Sequence, residues 1–89
     1  MKHIISNDNI EGLDEVSQEV SHWSVSHDSV SYTVTVVRYF RIDGDTVYGG
    51  FFKCVNYPGG DACGDFYPDE SEALNDLLRR VASYSPNRD

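Results

Sequence analysis

The chain has 89 residues, 39% of them hydrophobic and 25% charged, and its 15 Asp and Glu against 7 Lys and Arg give a formal net charge of -8. That length allows one domain, 1–89, and an apolar share of this size with 12% aromatics excludes a fully disordered chain. The acidic balance excludes direct binding of nucleic acid phosphates, which needs clustered Lys and Arg, and no apolar run approaches the roughly 20 residues of a membrane-spanning helix.

Met1 to Asp8 has only Ile4 and Ile5 as consecutive apolar residues, short of the about 7 to 15 of a secretory signal. The expectation is a cytoplasmic chain that begins at Met1. In that setting Cys54 and Cys63 read as free thiols. The alternative is a disulfide closing the loop Val55 to Ala62. The spacing is not the C-x-x-C of a thiol redox pair.

In chain order, Asn9 to Val20 comes first. Ile10, Leu13 and Val16 could share the face of a short helix capped by Asn7 or Asp8, although Gly12 weakens the pattern. A strand is expected near Ser21 to Ser26, with a turn at His27-Asp28 that pairs Val25 with Val30 and Trp23 with Tyr32. Ser29 to Ile42 is rich in β-branched and aromatic residues and alternates with period two. One face carries Val30, Tyr32, Val34, Val36, Phe40 and Ile42. The other carries Ser29, Ser31, Thr33, Thr35, Val37, Tyr39 and Arg41. Arg38 breaks the apolar face, which predicts a bulge near Val36-Val37 or the edge of the core.

Asp43-Gly44 is a tight-hairpin signal, since both central residues of a type I′ turn take positive φ. A two-residue turn there pairs Ile42 with Asp45, Phe40 with Val47 and Val36 with Phe51. Val47, Phe51 and Val55 then join the apolar face. Lys53 opposite Val34 does not fit, and Gly49-Gly50 is the expected place for a second bulge. Asn56 to Tyr67 reads as a long loop whose tail, Asp65-Phe66-Tyr67, could add a brief strand. The last element is a helix. Asp69 with Glu72 makes a capping box after Pro68, and Pro86 ends it. Ala73, Leu74, Leu77, Leu78, Val81 and Ala82 make its apolar stripe.

The predicted fold is α+β: a three-stranded antiparallel meander, four-stranded if the loop contributes, with the C-terminal helix on one face. The core is expected to join Trp23, Val25, Val30, Tyr32, Val34, Val36, Phe40, Val47, Phe51 and Val55 to Leu74, Leu77, Leu78 and Val81. The second face would show His22, Ser24, Ser26, Ser31, Thr33 and Thr35 at one end. At the other end it would show an aromatic cluster of Val37, Tyr39, Tyr48 and Phe52. Such a cluster is either a binding surface or is covered by the N-terminal segment.

Chemistry is sparsely signalled. His22, His27, Cys54 and Cys63 are zinc-ligand types at poor spacing, so no metal is assigned. Asp43-Gly44-Asp45 lacks the rest of a calcium loop. The Gly-Gly pairs precede no phosphate-loop Lys. No cofactor and no catalytic residue is assigned. The acids, by contrast, are clustered: Asp8, Glu11, Asp14, Glu15 and Glu19 in one basic-free stretch, and Asp61, Asp65, Asp69, Glu70, Glu72 and Asp76 in another. The second set is the candidate acidic binding surface, because acidic clusters steer encounters with basic partners.

In size, acidity and sheet-plus-helix plan the chain is similar to small phage-encoded proteins that inhibit host machinery, anti-CRISPR proteins and DNA mimics among them. That resemblance implies a non-catalytic inhibitor docking on a basic, nucleic-acid-handling protein. Two other readings stand beside it: a structural domain that pairs with a second copy through its open sheet face or an edge strand, and a small metal protein or enzyme using His22, His27, Cys54 or Cys63.

Overall fold

The structure, a computed structural model, describes residues 15–41 and 44–86. Four antiparallel strands form one sheet in the order β1 (Glu15–His27), β2 (Val30–Arg41), β3 (Thr46–Cys54) and β4 (Gly60–Ala62), followed by one helix, α1 (Glu70–Ser83). The fold is α+β, with a meander of four strands. The predicted N-terminal helix falls partly outside the described residues. Its C-terminal part is strand instead: Glu15 to Glu19 pair with Arg41 to Val37. Alternating Val16, Gln18 and Val20 suit a ladder that would otherwise leave the end of β2 unpaired, and this tertiary pairing overrides a helical pattern already weakened by Gly12.

β1 and β2 meet in a two-residue turn at Asp28-Ser29, where both residues have positive φ, 53° and 66°. This is the type I′ requirement, met one residue later than His27-Asp28. The pairs become Val25 with Tyr32 and Trp23 with Val34. That shift of two residues along the partner keeps every side chain on its expected face. The bulge lies on β1 at Val20, between the pairs Glu19–Val37 and Ser21–Val36.

The second hairpin departs from the expected register by one residue. Arg41 accepts a hydrogen bond from the Gly44 N–H at 3.0 Å and donates its own N–H to the Asp45 carbonyl at 2.9 Å. Three residues therefore separate the closing pair, and Gly44 at φ 97° supplies the left-handed position such a loop needs. Val36 now faces Gly50, Val34 faces Phe52 and Phe40 faces Thr46. A slip of one turns β3 over. Phe52 and Tyr48 go to the helix side, while Val47, Phe51 and Lys53 go to the other. This removes the misfit of Lys53 without any bulge at Gly49-Gly50.

The core is Val30, Tyr32, Val34, Val36 and Phe52 of the sheet under Ala73, Leu77 and Val81 of α1, all 1% exposed or less. The rings of Tyr32, Phe52 and Tyr84 meet edge to face, with centroids between 5.3 and 6.3 Å apart. Burying each large apolar side chain contributes about 1.5–3 kcal/mol. α1 packs chiefly on β3 and β2, while β1 meets the core from the side through Val20 and Val25. Trp23, expected in the core, is consequently 47% exposed, and Leu78, on the flank of the helix, is 37% exposed. Val55 leaves the core because it follows β3 onto the opposite parity. Arg38 sits at the end of the apolar face, its Nε donating to the Tyr48 hydroxyl at 3.2 Å and its guanidinium 5.5 Å from that ring's centroid.

β4 arises inside the stretch read as loop. Its pairing with β3 runs through Phe51–Ala62 and Lys53–Gly60, and Tyr67 adds a single bridge to Tyr48. At Gly60 a Cβ would meet the Phe52 carbonyl oxygen at 2.2 Å, so this close strand approach requires glycine. Among the described residues no helix is long and apolar enough to cross a membrane.

Candidate partner-binding surface

The expected aromatic cluster is divided between the two faces. Phe52 is 1% exposed in the core, and Tyr48 packs against that core from the helix side. The cause is the three-residue hairpin loop, which the two-residue reading of Asp43-Gly44 did not allow. Val37 and Tyr39 remain on the face away from α1, and Val37 is 5% exposed. Coverage of this face by the segment before Glu15 lies outside the described residues.

A different aromatic joins Tyr39. Phe66, half exposed, packs its ring edge to face against Tyr39 at 5.3 Å. Arg41 lies over the Phe66 ring at 4.8 Å. Phe66 takes this position because its neighbour Tyr67 bridges to Tyr48 with hydrogen bonds of 2.8 Å in both directions, and alternation then sends Phe66 to the opposite face. Gly49 lies against this pair: a Cβ there would be in van der Waals contact with Tyr39 at 3.4 Å and Phe66 at 3.5 Å. The sequence held a signal for this, since a glycine inside a strand marks a close approach by another group. Asp65 orders the loop by accepting the Phe66 N–H at 2.9 Å. A recess of about 250 Å³ opens between Tyr39, Gly49, Cys63, Gly64, Asp65 and Phe66. Burial, and then the Glu15 carboxylate, push the Tyr39 hydroxyl pKa up.

The six candidate acids do not form one surface. Asp76 is 7% exposed. One of its oxygens accepts from the Tyr67 hydroxyl at 2.8 Å and the other from Arg80 Nε at 3.0 Å. Arg80 Nη1 also reaches Asp61 at 3.2 Å. Arg80 lies just past the basic-free stretch in sequence, but one helical turn returns it to Asp76 and the sheet edge brings Asp61 to it. Burial pushes the Asp76 pKa up, yet the Tyr67 and Arg80 hydrogen bonds outweigh this and hold it below 3.8. Asp69 is the N-cap of α1, accepting from the Glu72 N–H at 2.9 Å and the Ser71 hydroxyl at 2.8 Å. That leaves Asp65 beside Phe66, and Asp69, Glu70 and Glu72 at the start of α1.

The histidines and cysteines are not brought together. His22 is on the face away from α1, its Nδ1 3.4 Å from Thr35 Oγ1 and its Nε2 3.4 Å from Glu19. His27 ends β1. Both cysteines are free. Cys63 donates its N–H to the carbonyl of Gly50, four residues along β3 from Cys54, a separation of about 13 Å against the 7 Å limit for a disulfide. Among the described residues no three His, Cys, Asp or Glu converge to hold a metal ion. Burial, and then the Asp76 carboxylate, push the Cys63 thiol up to about 11, which opposes a nucleophilic role for it. No family model matches the chain, and comparison with curated proteins and with solved structures gives no match.

Proposed function

We propose that this chain is a non-catalytic binding protein that docks on a basic surface of another protein. The observation that carries this reading is the half-exposed Phe66 at the rim of the Tyr39 recess, beside Asp65, on a chain whose helix also opens with Glu70 and Glu72. Two aromatic rings with a carboxylate at the rim suit an Arg or Lys side chain of a partner. An aromatic anchor within a charged rim is also the usual anatomy of a binding hot spot. The acids would steer the encounter and Phe66 would slow release. Inhibition of a nucleic-acid-handling protein is the form this reading takes when the basic surface is that protein's own substrate site.

The test is capture of partners from the native cell with the wild-type chain, then kinetics on the purified pair. Asp65→Lys with Glu72→Lys should lower the on-rate and the salt dependence. Phe66→Ala should raise the off-rate. Equal association by wild type and the charge-reversed chain, at low salt, would overturn the acidic-docking reading.

A further inference from the structure

We propose that the outer edge of β1 is a self-association site, pairing antiparallel with the same strand of a second copy about Ser24. β1 ends the sheet, and among the described residues no strand pairs with its outer side. The opposite edge, β4, is three residues long, whereas β1 runs for 13. A long edge offers unpaired N–H and carbonyl groups whose natural complement is another strand. The two-residue hairpin closes on His27–Val30. Alternation then directs the backbone groups of Trp23 and Val25 toward β2 and those of His22, Ser24 and Ser26 outward.

The charge pattern favours a second copy as the occupant. The chain holds 15 acids, yet Ser21 to His27 holds none, and Glu15 and Glu19 lie beyond the bulge at Val20. This is the stretch of edge where two chains of charge -8 can meet with no acid facing acid. It is also the regular part of the strand, and the bulge marks its limit.

Centred on Ser24, each Trp23 faces the Val25 of the second copy on the helix side, an aromatic with β-branched pair. Ser24 and His22 face Ser24 and Ser26 of that copy on the other side. A two-fold axis perpendicular to the sheet keeps both helices on one face. Trp23 and Leu78, 47% and 37% exposed in the single chain, would then line the groove between them from both sides. One chain leaves Trp23 on this strip of β1 half exposed because α1 packs chiefly on β3 and β2. An edge contact of this size belongs to the weak, reversible class.

The test is the mass of the full chain in solution across concentration, with Ser24→Pro and Ser24→Cys. Proline at a position whose N–H points outward spares the β1–β2 ladder. The wild-type chain should shift from one-chain to two-chain mass as concentration rises, with a blue shift in Trp23 emission. Ser24→Pro should keep the one-chain mass with unchanged circular dichroism. Ser24→Cys should form an intermolecular disulfide that the wild-type chain does not, the paired Cα atoms being about 5.5 Å apart. Should the proline variant unfold, Ser24→Lys, exposed on the face away from α1, should weaken the dimer at least about tenfold. A one-chain wild type up to about 1 mM overturns the proposal. So does a monomer whose Trp23 resists iodide quenching, since that places another occupant on the edge, such as residues 1–14 of the same chain. A wild-type dimer in which Ser24→Cys fails to cross-link overturns it as well.

Discussion

Val36 stands opposite Gly50 across the β2–β3 ladder, and the missing side chain at Gly50 lets Leu77 of α1 reach the sheet. A Cβ on Gly50 would lie 2.1 Å from the Thr35 carbonyl oxygen and 2.9 Å from Leu77 Cδ1. Backbone on one side and a buried helix on the other leave nothing flexible to yield. Gly50→Ala should cost at least about 1–3 kcal/mol, read as a lower urea midpoint with α1 content retained. Gly44→Ala gives a contrast: nothing among the described residues lies within 4 Å of that Cβ, and the φ of 97° is what opposes it.

The same register makes adjacent phenylalanines unequal. Phe52 is 1% exposed and lies in the ring cluster with Tyr32 and Tyr84. Phe52→Ala should cost about 3–5 kcal/mol. Phe51, on the far face opposite Thr35 and partly exposed, should cost clearly less. Chemical denaturation of the two variants decides the register, because a hairpin one residue shorter would reverse their order.

Asp76 should make stability fall in acid. Folding favours its ionised form, so it contributes stability above its ordinary value of 3.8 and loses that contribution as pH falls through the lower folded value. Asp69, held low first by the Glu72 backbone N–H, adds to the same limb. Glu72, pushed up by its hydrogen bond with Asp69, acts in the opposite direction. Asp76→Asn should lower Tm at pH 7 and flatten the fall of Tm below about pH 4. Calorimetry across pH on both chains measures this.

Cys63 should be slow to alkylate. With its pKa near 11 against the ordinary 9.0, the thiolate is roughly 100-fold scarcer at a given pH. Iodoacetamide at pH 8, followed by peptide mass mapping, should show Cys63 modified far more slowly in the folded chain than in urea. Asp76→Asn should speed that reaction, because the Asp76 carboxylate is the second cause of the shift.

Local rules made much of the fold legible in the sequence. Alternation over Ser29 to Ile42 marked β2 and its two faces, and the Asp69 cap with the Leu77 and Val81 stripe marked α1. The acid-free character of Ser21 to His27 is equally a property of the sequence. Tertiary structure decided the rest, because the deciding terms are differences between neighbours far apart in the chain. One extra residue in the loop before Asp45 turned β3 over, moving Phe52 inward and leaving Phe51 on the far side. The placement of α1 over β2 and β3, set by its approach to Gly50, left Trp23 outside the core. Arg80 drew Asp61 and Asp76 out of the acidic surface through contacts that no window of sequence contains. Phe66 came to lie half exposed on the far face because Tyr67 bridged to Tyr48. Charge and periodicity are written residue by residue; register and ion pairing depend on which distant backbone each residue meets.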